Sequence, residues 1–104
     1  MEDLSGFGRF SDPALLILAS LASGPKHGYA MIEDIAALAG VRLGPGTLYG
    51  ALARLEGRGM IAPLPAEDRR QPYRLTPSGA EWLRAQLTSL EAFAGAGLRR
   101  LATP

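Results

Sequence analysis

Three prolines, Pro13, Pro45 and Pro77, sit where a helix can open, and they constrain this chain more than any other feature. Proline fits the first helical turn, where its missing N–H would have found no partner, and breaks a helix almost anywhere else. Asp12 before Pro13 and Thr76 before Pro77 supply side-chain caps, and Gly44 and Gly46 flank Pro45. From these starts the apolar residues recur at helical spacing. A first helix over 13–23 carries Leu15, Leu18, Ala19 and Ala22 and stops at Gly24-Pro25. A second, over 28–39, sets Tyr29, Ile32, Ala36 and Ala39 on one face, turns Glu33 and Asp34 elsewhere, and ends at Gly40, a left-handed terminator. A third, over 46–58, carries Leu48, Leu52 and Leu55. A last helix starts at 77, carries Ala80, Leu83, Leu87 and Leu90, and runs through the nineties toward Leu101. Gly95 and Gly97 weaken its end by about 1 kcal/mol each relative to alanine.

Between the third and last helices the period changes. Residues 60–64 and 73–76 are short apolar or alternating runs around a charged loop, which reads as two antiparallel strands. The expected fold is mainly α with a small β-ribbon: a winged helix-turn-helix of three helices and a two-stranded wing, followed by a C-terminal dimerisation helix. It divides the chain into an N-terminal segment 1–12, a winged helix-turn-helix 13–76 and a dimerisation helix 77–104. Phe7 and Phe10 are candidates to fold the first segment back onto a neighbour.

Composition removes whole classes of function. At 104 residues, with 47% apolar and 20% charged residues, the chain is an ordinary globular one with room for one core. The absence of cysteine excludes disulfides, thiolate metal sites and a cysteine nucleophile, and a lone histidine, His27, assembles no usual metal site. No cofactor, metal site or catalytic motif is expected, so the chain reads as no enzyme. The longest apolar run is too short to span a bilayer, and the acidic start is unlike a signal peptide, so the expected location is the cytoplasm, away from membranes. The net charge of +1 conceals a gradient: residues 1–40 hold two basic and five acidic side chains, whereas 41–80 hold six arginines and three acids. Arginine suits phosphates and base edges, although its use throughout also fits a genomic preference.

The residues Leu16 to Ala22, Gly24-Pro25, His27-Gly28-Tyr29, Pro45-Gly46-Thr47-Leu48-Tyr49, Leu52, Leu55-Glu56, Gly59, Tyr73-Arg74-Leu75-Thr76 and Gly79 together resemble the PadR family of bacterial transcriptional regulators. The resemblance covers about residues 13–90 and corresponds to the short form of the family. Where the family usually has proline after the tyrosine this chain has Gly50, and Glu67 and Asp68 dilute a usually basic wing loop. The resemblance implies a two-fold dimer on an approximately palindromic operator in double-stranded DNA, and for some relatives a small aromatic or cationic effector.

Candidate site residues follow. With Leu48, Leu52 and Leu55 inward, the third helix turns Thr47, Gly50, Arg54 and Arg58 outward and leaves Tyr49 at an edge. Its N-terminal amides favour phosphate, and Arg54 reaches a guanine edge or a phosphate. Arg69 and Arg70 at the ribbon tip suit a minor groove, Glu67 and Asp68 balancing them; Arg42 and Arg74 are weaker candidates for backbone contact. His27 is expected to cap or pack, and Tyr29 to bury its ring; the resemblance likewise implies that this motif supports the fold and touches the DNA backbone nearby. Trp82, Leu83, Leu87, Leu90 and Phe93 form a candidate dimerisation stripe, with packing on the first helix as the alternative. Trp82 and Phe93 are also candidate stacking faces for an aromatic ligand. The expected function is a sequence-specific DNA-binding regulator, a homodimeric repressor of its own or a neighbouring promoter relieved by a small aromatic ligand. The alternative is a winged-helix module that binds protein and no DNA.

Overall fold

A computed structural model describes residues 11–103; Phe7, Phe10 and most of the segment 1–12 lie outside the described residues. In chain order the elements are α1 (Pro13–Leu21), β1 (Lys26–His27), α2 (Gly28–Ala39), α3 (Pro45–Gly57), β2 (Ile61–Pro63), β3 (Pro72–Leu75) and α4 (Pro77–Ala102). The fold is mainly helical with a small antiparallel sheet, as the hydrophobic periods require. Asp12 accepts from the Ala14 amide at 3.1 Å, His27 Nδ1 from Ala30 at 3.4 Å and Thr76 from Gly79 at 3.1 Å, so α1, α2 and α4 each start under a side-chain cap. Gly40 closes α2 at φ 68°.

Helix α1 is the centre of the molecule. Leu15, Leu16, Ile17, Leu18 and Leu21 are all buried, because α2, α3, α4 and β3 surround this short helix. Against it pack Met31, Ile32 and Ile35 of α2 and Leu48, Ala51, Leu52 and Leu55 of α3. The inward face of α2 is thus Gly28, Met31, Ile32 and Ile35 rather than the face expected around Tyr29. Tyr29 is 66% exposed, which corrects the expectation that its ring is buried. Asp34 turns back to α1, where it accepts from Ser20 Oγ at 2.6 Å. Lys26 joins them: its ammonium donates to the Ser20 and Gly24 carbonyls and the Ser23 hydroxyl, 3.8 Å from Asp34, and so closes the C-terminal end of α1.

The sheet has three strands in the order β1-β3-β2, one more than the two expected. Lys26 and His27 pair with Tyr73 and Pro72, while Ile61, Ala62 and Pro63 pair with Leu75, Arg74 and Tyr73. The hairpin of β2 and β3 is the wing, and at its tip Glu67 and Arg70 exchange backbone hydrogen bonds around Asp68 and Arg69. Both central residues take positive φ, 48° and 66°, the conformation a tight hairpin turn requires.

After the wing the chain enters α4 without a linker. Thr76 donates its amide to the Met60 carbonyl at 3.1 Å and its hydroxyl to Gly59 at 2.7 Å. Gly79 lies against the Met60 carbonyl so closely that a Cβ there would overlap it. Of the expected dimerisation stripe, Leu83 is only 5% exposed and belongs to the chain's own core, and Trp82 and Leu90 are half-buried against that core. For these three the alternative of packing on their own chain describes the contacts. Leu87 and Phe93 are exposed, as are Leu98 and Leu101 farther out, where α4 leaves the core.

Candidate nucleic-acid interface

The outer surface of α3 is unusual for a helix. With Leu48, Ala51, Leu52 and Leu55 inward, the residues farthest from the core are Gly46, Gly50, Ala53 and Gly57, spaced four, three and four apart. This ridge has almost no side chains. A Cβ at Gly46 or Gly57 would meet nothing, and one at Gly50 would meet only the Arg54 guanidinium at 3.6 Å. The chain's own packing therefore gives no reason for these glycines, although glycine lowers helix stability by about 1 kcal/mol relative to alanine. Tyr49 stands on one flank of the ridge; Thr47, Arg54 and Arg58 stand on the other, and all four are exposed. At the N-terminal end Gly44 supplies no side-chain cap, so the first amides of α3 face solvent, in contrast to the capped α1, α2 and α4. Such a surface can come close to a large anionic partner and offer hydroxyl, guanidinium and amide donors to it.

The wing tip lies on the Tyr49 side. His27, Gly28, Tyr29, Tyr49, Arg69, Arg70 and Gln71 line an open hollow of about 280 Å³. Gly28 lets the Tyr49 ring lie close: a Cβ would come within 2.6 Å of the Tyr49 hydroxyl and 3.2 Å of Leu48, so the tyrosine would have to shift. Arg70 reaches across to His27, its Nη1 3.3 Å from the imidazole Nε2, and Gln71 braces the hairpin by donating to the Leu64 and Pro72 carbonyls. Behind the hollow, burial first, then Glu56 and Tyr49, raise the Tyr73 phenol above its ordinary value, so it remains a neutral phenol.

Arg54 and Arg58 line a second hollow, about 150 Å³, with Trp82 of α4. Arg42 pairs with Glu33 at 2.8 Å, and that hydrogen bond, then the charge of the guanidinium, lowers the Glu33 carboxyl below its ordinary value. The Arg42 guanidinium is thus engaged by a carboxylate of its own chain. Arg74 is exposed on β3. Trp82 and Phe93 lie eleven residues apart on α4, about 16 Å along the axis, so a single chain does not bring these two rings around one small ligand. Leu87 and Leu90 instead border an apolar hollow of about 350 Å³ with Leu15, Leu16, Leu38 and Leu83. Among the described residues there is no cluster of metal-ligating side chains, and no helix is long and apolar enough to cross a membrane.

The comparisons with known proteins agree with this layout. The model of the Transcriptional regulator PadR-like family matches residues 17–85, from α1 through the wing into α4. The chain belongs to the PadR family. The PadR-like chain is 35% identical over 86 residues to Transcriptional regulator Rv3488 of Mycobacterium tuberculosis, covering 77% of each. It is 46% identical over 87 residues to an uncharacterized 37.1 kDa protein in transposon TN4556 of Streptomyces fradiae, covering 84% of this chain but spanning only a quarter of that protein. In fold it is similar to a transcriptional regulator from Clostridium thermocellum, at TM-score 0.74 and 29% identity, covering 84% and 87% of the two chains. The PadR-like family is one of transcriptional regulators.

Within this PadR-like chain the structure brings Tyr49, Arg69 and Arg70 together across one hollow and sets Thr47, Gly50, Arg54 and Arg58 along the ridge and its far flank. His27 and Tyr29 join the first group; the resemblance set their motif near the DNA backbone, but the two were not chosen as site residues. Their signal was the His27-Gly28-Tyr29 motif. Its proximity to the wing depends on the pairing of β1 with β3, a contact between residues more than forty positions apart.

Proposed function

We propose that this chain is a sequence-specific DNA-binding regulator of transcription, acting in the cytoplasm as a homodimeric repressor of its own or a neighbouring promoter. The observation that carries the reading is the side-chain-poor ridge of α3, flanked by Tyr49 and Arg54 and set beside the Arg69-Arg70 wing tip. A helix with such a ridge can seat its backbone deep in a major groove while Thr47, Tyr49, Arg54 and Arg58 reach sideways to base edges and phosphates. The free amides at the start of α3 take a backbone phosphate, and the wing arginines take the neighbouring minor groove. Phosphate neutralisation supplies most of the affinity, and ridge contacts supply discrimination.

The apolar side chains that α4 leaves exposed, Leu87, Phe93, Leu98 and Leu101, support association with a second copy. Two recognition helices on a two-fold axis then read an approximately palindromic operator, with half-sites about 34–36 Å apart. Relief by a small aromatic ligand requires both copies, because Trp82 and Phe93 of one chain are too far apart to share it. The test is fluorescence anisotropy on the duplex upstream of the protein's own gene against a shuffled duplex, over a salt series. Tighter binding to the native duplex with a steep inverse salt dependence is expected, and replacement of Arg54, Arg69 and Arg70 by alanine abolishes it. Absence of binding to either duplex at low salt overturns the reading.

A further inference from the structure

Helix α4 carries two rows of side chains. Leu83 and Leu90 pack against their own core, whereas Arg84, Leu87, Glu91, Ala94, Leu98 and Leu101 recur beside them at steps of three and four and are all exposed. Such spacing is the seam of a two-stranded coil, whose partner is another long helix. Two of its members are charged. Arg84 and Glu91 stand one heptad apart with Leu87 between them, separated by about 10.5 Å of helix. Among the described residues neither side chain makes an ion pair. A charge in a seam weakens association unless an opposite charge meets it, so these two restrict which helix can lie there and in which direction.

Two copies of α4 laid parallel and in register would set Arg84 against the partner's Arg84 and Glu91 against the partner's Glu91. Laid antiparallel about a two-fold axis beside Leu87, they set each Arg84 against the partner's Glu91, twice over. Resting on the homodimer reading above, we propose that Arg84 and Glu91 select a second copy of this chain as the partner of α4 and fix the pair as antiparallel. The head of the molecule supports this register. Ala22, Leu75 and Ala80 share a hollow of about 380 Å³ with Arg84, Leu87 and Glu91, beside the first turns of the helix. The register that joins Arg84 to the partner's Glu91 carries the partner's Leu98 and the partner's Leu101 back to those turns, where two otherwise exposed leucines fill the hollow. None of these residues lines the hollow at the wing tip, so the pairing leaves the DNA-facing surface open.

Charge reversal tests the pairing, with self-association read by sedimentation equilibrium at low salt. Arg84→Glu and Glu91→Arg each set like charges against one another at two places in the homodimer. Each is expected to weaken self-association by about tenfold or more, with helix content unchanged because both side chains are exposed. Mixed together, the two variants are expected to pair with each other as tightly as the wild type, since one now carries two acids and the other two bases. The chain that combines Arg84→Glu with Glu91→Arg is likewise expected to regain its homodimer. Because the sequence has no cysteine, single cysteines report the orientation. Ala80→Cys is expected to form a disulfide with Leu98→Cys in a mixture, and not with itself. Single reversals that associate like the wild type, a mixture that stays unpaired, or Ala80→Cys that cross-links to itself overturns this inference while the dimer stands. A wild type that is monomeric at every concentration overturns the homodimer reading and this inference with it.

Discussion

Ten of the eleven basic residues are arginine, and every described arginine is exposed; the one lysine, Lys26, is the cation drawn into the structure. The choice follows from geometry. At the end of α1 the Ser20 and Gly24 carbonyls, the Ser23 hydroxyl and the Asp34 carboxylate surround one point, which suits a compact ammonium better than a planar fork. Lys26→Met is expected to lower stability by about 2 kcal/mol in urea unfolding, since it strands carbonyls and a carboxylate, and Lys26→Arg does not restore it fully. The wing tip holds a local backbone strain. Asp68 and Arg69 occupy left-handed backbone conformations that favour Asn and Gly. Replacing the pair by Asn-Gly is expected to raise stability by about 1 kcal/mol while weakening DNA binding through loss of the Arg69 charge. The melting temperature and the anisotropy titration then move in opposite directions.

Single alanines separate what each element uses its glycines for. Gly79→Ala drives a methyl into the Met60 carbonyl and is expected to cost about 2 kcal/mol or more, because backbone on both sides has to move. Gly28→Ala meets the mobile end of Tyr49, so it is expected to cost less stability and instead displace a candidate DNA contact. Gly50→Ala meets only open space and the Arg54 tip, and is expected to stabilise α3 by about 0.5–1 kcal/mol. Chemical denaturation of the three variants ranks them. The elements themselves were legible because their signals are local: Asp12, Gly40 and Thr76 sit where caps and stops require, and the change of period marks the wing. The face of α2 was misjudged because Tyr29 counts as apolar in a periodicity yet lies in the open, while Met31 and Ile35 take the core side. Strand β1 was missed because two residues carry no period, and its existence depends on Tyr73 and Pro72 far along the chain. The stripe on α4 was undivided: spacing does not distinguish Leu83, buried against α1, from Leu87, one turn on along the same face, which borders the open hollow beside α1 and stays exposed.

At the scale of the molecule, extents of 57 × 33 × 20 Å describe a compact head and a projecting helix. The apolar outer half of α4 is the part that a second copy covers in the proposed dimer. Leu87→Glu with Phe93→Glu is expected to convert the dimer to a monomer in light scattering with helix content unchanged, because neither residue belongs to the core. Arg69→Ala with Arg70→Ala is expected to flatten the salt dependence of DNA binding, by up to about 0.9 in the log–log slope for each phosphate contact removed. The direct join between wing and α4 makes the projecting helix a lever with no slack. One degree of tilt moves the far end of its 26 residues by about 0.7 Å. Thr76 is bonded to Gly59 and Met60, and Gly79 is wedged against the same carbonyl, so the base of that lever is fixed directly to the hairpin. In the proposed dimer, whatever sets the angle between two such levers also sets the distance between two wing tips.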